Sequence, residues 1–390
     1  ALNLNAPADA VLSNYFRDNR ELGSRDRGWV AETVFAVLRE KMTLQYLAEL
    51  LSVELAAAGA TETKRERSAE KTIQRPRRLA LFALARAGNQ EVIDKVAREP
   101  ELSLLKRLAL LSDTDFPREV RLNLPPYAVL ALDAQHGPER VDAMMRALNQ
   151  PAPLDLRVNT VKSNRDNAIA ELTKSDILCV PTKLSPIGLR IHGKPLLSVT
   201  APFKNGAIEV QDEGSQLLAL LVGAKRSEMV VDFCAGAGGK TLALGAQMRN
   251  TGRLYAFDIS IRRLEKLKPR LARSGLSNVV TIGIESENDI RIKRLAGKLD
   301  RVLVDAPCSG LGTIRRNPDL KWRQGERDIA ELTVKQMKIL VAAARLVKVG
   351  GRLVYATCSL LEAENDATVD VLLNTHPHFK ILDAREILSA

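Results

Sequence analysis

Residues 228–241 read EMVVDFCAGAGGKT. Met229, Val230, Val231 and Phe233 form a short apolar run with Asp232 near its end, and three glycines follow at 236, 238 and 239. The next residues, KTLALGAQM, have a helical pattern. Strand, glycine turn and helix open a doubly wound α/β domain, which binds a nucleotide-like ligand outside the strand's carboxyl end. Glycine belongs in such a turn because a Cβ would hold the backbone away from the ligand. Two familiar templates fail. A P-loop needs glycine where Cys234 stands, and the dinucleotide pattern G-x-G-x-x-G needs glycine where Thr241 stands.

The chain has 390 residues, enough for two or three domains. Its formal charge of +11 favours a polyanionic partner, nucleic acid first. None of the four cysteines, Cys179, Cys234, Cys308 and Cys358, has the spacing of a zinc or redox pair. No metal is expected, and a reduced cytoplasmic setting fits. No apolar run is long enough for a membrane span, and no secretory signal is visible. The chain starts at Ala1 rather than Met, which suggests a trimmed N-terminus.

Outward from the turn, the chain divides into three. Residues 1–115 are rich in Ala, Leu, Arg and Glu with helical spacing, as in Trp29–Glu40 and Leu79–Gly88, and predict a helical bundle. Its charged stretch Lys64–Arg78 is either a solvated loop or a phosphate-contacting patch. Prolines 117, 125 and 126 mark a boundary. Leu124-Pro-Pro-Tyr127 has the outline of an amino-group methyltransferase motif, but Leu124 cannot hold a target amine. Residues 116–204 predict a small α+β subdomain with strands at Pro153–Lys162 and Gly188–Gly193; Arg157 and Asn159 read as RNA contacts or as surface residues of a strand.

Residues 205–390 predict the catalytic domain. A polar turn, Gln211–Ser215, precedes an apolar helix and the glycine turn. The next strand ends in Asp258, placed to take a ribose diol. Asn278–Ile284 predicts a third strand, after which Glu285 stands where an adenine-binding acid is wanted. Val302–Val304 lead to Asp305-Ala-Pro-Cys308. Asp328 and Glu331 predict a capping box, and the helix behind them is expected to stop at Gly350-Gly351. A fifth strand ends in Thr357-Cys358-Ser359, and Phe379–Ala384 predicts a sixth. No seventh follows, so the C-terminus is expected to be incomplete.

Two cysteines at adjacent strand tips beside a ligand turn suit one chemistry. Carbon-5 of cytosine is a poor nucleophile, and a thiolate adding to carbon-6 turns the ring into an enamine-like species that can attack a methyl sulfonium. Afterwards the carbon-5 proton must leave and the thiol must be expelled.

DFCAGAGGKT resembles motif I of S-adenosylmethionine-dependent methyltransferases. With AFDIS, VDAPCSGLGTIRRNPDLKW and YATCSLLEAEN, it resembles the motifs of RNA (cytosine-5) methyltransferases. LGSRDRGWVAETVFAVLR resembles the RNA-binding helical domain of the antitermination factor NusB, which points to the bacterial 16S rRNA methyltransferase B (RsmB/Fmu/Sun) group. The resemblance implies a class I, Rossmann-like methyltransferase domain behind an N-terminal all-α NusB-like domain and a linking α+β subdomain. It implies S-adenosylmethionine as cofactor, 16S rRNA as substrate and a cytoplasmic monomer. Carried over by motif, Cys358 would be the nucleophile and Cys308 would assist breakdown of the adduct. Asp305 would hold the base, with Lys240 assisting. Cys234, Ala235, Gly236, Ala237, Gly238, Gly239, Lys240, Asp258, Glu285 and Asp305 would line the cofactor. DNA cytosine-5 enzymes use the Pro-Cys cysteine as nucleophile, so the role of Cys358 rests on the Thr-Cys-Ser motif. Arg315, Arg316, Lys321 and Arg323, in the loop after Cys308, read either as a grip on phosphates around a base drawn out of its stack or as a solvated basic loop. The rivals are the same chemistry on tRNA and an RNA-binding assembly factor without catalysis.

Overall fold

The computed structural model describes residues 3–57, 76–111 and 113–389. Most of Lys64–Arg78 therefore lies outside the described residues; of its last positions, Arg77 is tied to Glu101 by two bonds of 2.6 and 2.9 Å. The chain folds as two compact units. One comprises Ala1–Pro151 with the returning segments Ser309–Ile329 and Cys358–Leu361, and the other holds the remainder.

The first unit is helical. Ser24–Arg39, Lys41–Ala57, residues 76–86, Gln90–Val96 and Glu99–Leu108 bury Val37, Leu44, Leu47, Phe82, Ile93 and Leu105 in one core. A second core joins Leu124, Ala128, Leu132, Val141 and Met145, around the helices Pro126–His136 and Pro138–Leu148, to Leu311, Ile314 and Leu361 from the returning segments. Leu124-Pro-Pro-Tyr127 is thus a helix start. Leu124 is 1% exposed, Pro125 is the N-cap and Pro126 opens the helix, where a missing N–H costs nothing.

The second unit carries two sheets. Strands β1 (Leu154–Val158), β2 (Cys179–Pro181), β3 (Gly188–Ile191) and β4 (Ile208–Val210) form an antiparallel sheet in the order β2-β3-β1-β4. Strands β5 (Met229–Asp232), β6 (Arg253–Asp258), β7 (Val279–Gly283), β8 (Leu299–Asp305) and β9 (Val347–Ala356) form a parallel sheet in the order β7-β6-β5-β8-β9. The strands are apolar in runs because both faces are covered: Val231, Val302 and Val304 enter one core, and Val230, Leu254 and Leu303 another. Strand order reverses between β5 and β8, and a crevice opens beyond their carboxyl ends at such a reversal. Asp305 pairs in register with Ala356.

Three expectations need correction. Residues 379–384 form no strand; Ile381 and Leu382 are exposed, so the segment has no face to bury, and a helix begins at Ala384. The long helix Glu326–Ala344 ends before Gly350-Gly351, which lie inside β9. Arg345 and Leu346 separate helix from strand without a glycine or proline, so no turn residue marks the change. The helix start is also shifted by three residues: Asp328 reaches back to the Gly325 N–H at 2.8 Å rather than serving as the cap for Glu331.

Candidate active site

The turn after β5 is built by neighbours far away in sequence. Gly238 has φ +82°, and a Cβ there would sit 2.0 Å from Leu267 Cδ1, so only glycine fits. Asp258, at the tip of β6, accepts the Gly236 N–H at 2.8 Å with one oxygen and the Ser260 N–H at 2.7 Å with the other. Arg270 donates to the Ala237 carbonyl at 2.6 Å. The same guanidinium donates twice to Glu209, which is 4% exposed and also accepts from Arg273. The acid of β4 therefore anchors, through Arg270, the turn of the other sheet.

Beside the turn lies a cleft of about 260 Å³. Of the expected residues, Cys234, Ala235, Gly239, Lys240 and Asp305 line it. Lys240 Nζ donates to Asp305 at 2.6 Å. Gly236, Ala237, Gly238 and Asp258 shape the turn without lining the cleft, and Glu285 is exposed and also outside the lining. Gln211, Ser215, Asp232 and Arg270 line it too. Gln211 and Ser215 are visible in the sequence only as a polar turn, and Arg270 only as one cation on a basic helix. Asp232 is buried and accepts from Thr241 Oγ1 at 2.7 Å; burial pushes its carboxyl up to about 6. Burial, then the carboxylates of Asp232, Asp258 and Asp305, push the Cys234 thiol well above its ordinary range. Cys234 is thereby held as a thiol, unsuited to nucleophilic attack.

Arg157 and Asn159 are neither surface residues nor available to RNA. Arg157, 1% exposed, donates to Gln211 Oε1 at 2.6 Å, and Asn159, 3% exposed, donates to the carbonyls of Gly206 and Ser274. The amide Nε2 of Gln211 is buried without a hydrogen-bond partner although its residue lines the cleft.

Asp305 and Ala356 end the paired strands β8 and β9, and Cys308 and Cys358 follow within three residues of those ends. Cys308 is half-buried and Cys358 exposed. In the first unit, the Cys358 carbonyl accepts the Gly312 N–H at 2.8 Å, and Ser309 Oγ donates to Ser359 Oγ at 2.9 Å.

The expected phosphate grip is partly corrected. Lys321 is fully buried and donates to the Arg39 carbonyl at 2.7 Å and to Asn149 at 3.0 Å, while Trp322 donates to the Leu38 carbonyl at 2.7 Å. These bonds cap the end of helix Ser24–Arg39, whose last carbonyls lack partners of their own. Burial pushes the Lys321 ammonium down to about 7. Arg323 pairs with Asp319, and Arg315 donates to the Pro151 carbonyl. Among the described residues no His, Cys, Asp or Glu group could hold a metal ion, and no helix is long and apolar enough to cross a membrane.

Residues 219–388 match the family model described as 16S rRNA methyltransferase RsmB/F, and residues 124–197 match the ferredoxin-like domain of RsmF/B-like methyltransferases. The ribosomal RNA small subunit methyltransferase B of Sodalis glossinidius is 38% identical over 62% of this chain and 55% of its own length. The chain thus spans little more than half of that relative. A Bacillus subtilis protein named "Probable ribosomal RNA small subunit methyltransferase B" is 28% identical over 96% of this chain and 86% of its own length. A solved methyltransferase homologue from Pyrococcus horikoshii is 30% identical, with a TM-score of 0.60, over 68% of this chain and 83% of its own. The parallel sheet is that of a class I methyltransferase, and the chain belongs to the RsmB/F family of methyltransferases.

Proposed function

We propose that this protein transfers a methyl group from S-adenosylmethionine to carbon-5 of a cytidine in 16S rRNA, through a covalent cysteine adduct. One observation carries the reading. Strands β8 and β9 are paired so that Asp305 faces Ala356, and each leads within three residues to a cysteine. Those strand ends lie on the edge of the sheet that carries the glycine turn.

The residues at the cleft fit the cofactor. The amide Nε2 of Gln211 is a buried donor without a partner among the described residues, suited to a carboxylate. Residues 234–240, with Asp258 and Gln211, would hold the cofactor, and Glu285 would take the adenine edge. When bound, S-adenosylmethionine supplies an electrophilic methyl on a sulfonium.

The chain's own residues do the rest. The Cys358 thiolate forms a bond from Sγ to carbon-6, and the carbon-5–carbon-6 π pair becomes available at carbon-5 for the new carbon–carbon bond. Cys308 then takes the carbon-5 proton. The released pair restores the double bond, and the bond from carbon-6 to Cys358 breaks to return the thiolate. Asp305, oriented by the Lys240 bond at 2.6 Å, would hold the polar edge of the ring. The helical residues 1–115 would bind the RNA, residues 116–204 would link the two, and the enzyme would act as a cytoplasmic monomer.

Bisulfite sequencing of cellular RNA with and without the protein tests this. One protected cytidine in 16S rRNA should depend on it and be lost with Cys358→Ala. Methylation retained by that variant, or found only in tRNA, would refute the proposal.

A further inference from the structure

The Pro307–Cys308 peptide is held by a polar network buried in the sheet domain. Gln336, on the inner face of helix Glu326–Ala344, is fully buried. Its Nε2 donates to the Pro307 carbonyl and to Glu364 Oε1, both at 2.9 Å. Glu364 is also fully buried, and its own carbonyl accepts from Tyr355 Oη at 2.8 Å.

Each member has a physical task. The proline ring fixes φ of Pro307. Just before it, the Ala306 N–H is tied to the Ala356 carbonyl at 2.9 Å. Tying the Pro307 carbonyl fixes ψ as well, and because the peptide is planar this places the nitrogen and Cα of Cys308. A glutamine amide can lie either way round. Here both facing groups are oxygens, so the carboxylate of Glu364 selects the orientation that puts Nε2 towards Pro307. Turned over, Gln336 would set its own oxygen against two others. Burying a carboxylate and an amide in a sheet core is unfavourable unless they are partnered, so this pair is not generic filling.

We propose that Gln336, oriented by Glu364, is a positioning residue for Cys308, and that it acts on the release of product rather than on methyl transfer. This rests on the covalent-cysteine reading above. Cys308 must meet the carbon-5 proton of an adduct that already fills the site, so a small displacement of its backbone slows elimination while leaving the first methyl transfer intact. A role confined to stability would lower all steps together by lowering the folded fraction.

The test uses the full chain with S-adenosylmethionine and transcribed 16S rRNA. Gln336→Met, Glu364→Gln and Cys308→Ala are compared for first-turnover methylation and for a denaturant-stable protein–RNA band. Gln336→Met should keep methyl transfer within about threefold and accumulate the band at least tenfold over wild type, with Glu364→Gln intermediate. No rise in the band for Gln336→Met, while Cys308→Ala shows one, would overturn the inference alone. No band for Cys308→Ala would overturn the covalent reading itself. If Gln336→Met does not fold, Glu364→Gln decides, since it keeps size and shape. If neither folds, the pair is structural and the inference fails.

Discussion

Replacing Arg270 with methionine removes the cation that joins the small sheet to the glycine turn. The side chain makes three bonds, two to Glu209 at 3.2 and 3.0 Å and one to the Ala237 carbonyl at 2.6 Å. Breaking a fully buried pair costs about 3–5 kcal/mol, because a charge is left without a partner. Here Glu209 keeps Arg273, so the loss should be smaller, about 2 kcal/mol. The Ala237 carbonyl loses its donor, and the turn, with left-handed Gly236 and Gly238, keeps the Asp258 tie at Gly236 but loses the one between the two glycines. Cofactor affinity should therefore fall by roughly tenfold, or about 1.4 kcal/mol. Urea unfolding measures the first quantity and calorimetric titration with S-adenosylmethionine the second. Glu209→Gln, alone and combined with Arg270→Met, completes a cycle in which the two losses should be strongly less than additive. An Arg270→Met protein with unchanged cofactor affinity would refute the idea that this cation shapes the turn, whatever its stability.

Two further outcomes are expected. Gly238→Ala should destabilise by about 1–3 kcal/mol, the usual range for a strained backbone position, and abolish cofactor binding, since Leu267 would have to move; binding within threefold of wild type in titration would count against the packing described. Burial pushes Asp232 up to about 6, so between about pH 4 and 6 the native state holds more protons than the unfolded one, and stability falls as pH rises through that window. Asp232→Asn should remove this component, so that its stability relative to wild type improves by about 3 kcal/mol between pH 4 and pH 7 in urea titrations; a difference that does not vary with pH would refute the assignment.

The parallel sheet was legible because its strands are covered on both faces, and a run such as Met229–Val231 or Val302–Val304 has few other fates. The cleft residues Cys234, Ala235, Gly239, Lys240 and Asp305 were legible because glycine, carboxylate and lysine at a strand tip serve few structural purposes. What escaped is long-range. Glu209 and Arg270 are polar residues on separate elements, and only the folded chain shows that they meet. Lys321 looks solvent-facing in the string RRNPDLKWR, yet acceptors at the ends of two other helices, the Arg39 carbonyl and Asn149, draw it inside. The boundary between helix Glu326–Ala344 and β9 was invisible because alanine and leucine serve both.

The bed of Leu122, Leu124, Leu311 and Ile314 beneath Leu361 bears on any attempt to redirect this chemistry. A chimaera that joined only the sheet half to a foreign recognition module would leave the tetrapeptide Cys358–Leu361 with no apolar seat. The transplantable cassette must instead include the helices of residues 118–148 and both returning loops. The segment Cys358–Leu361 and the helices of residues 118–148 therefore have to be moved together.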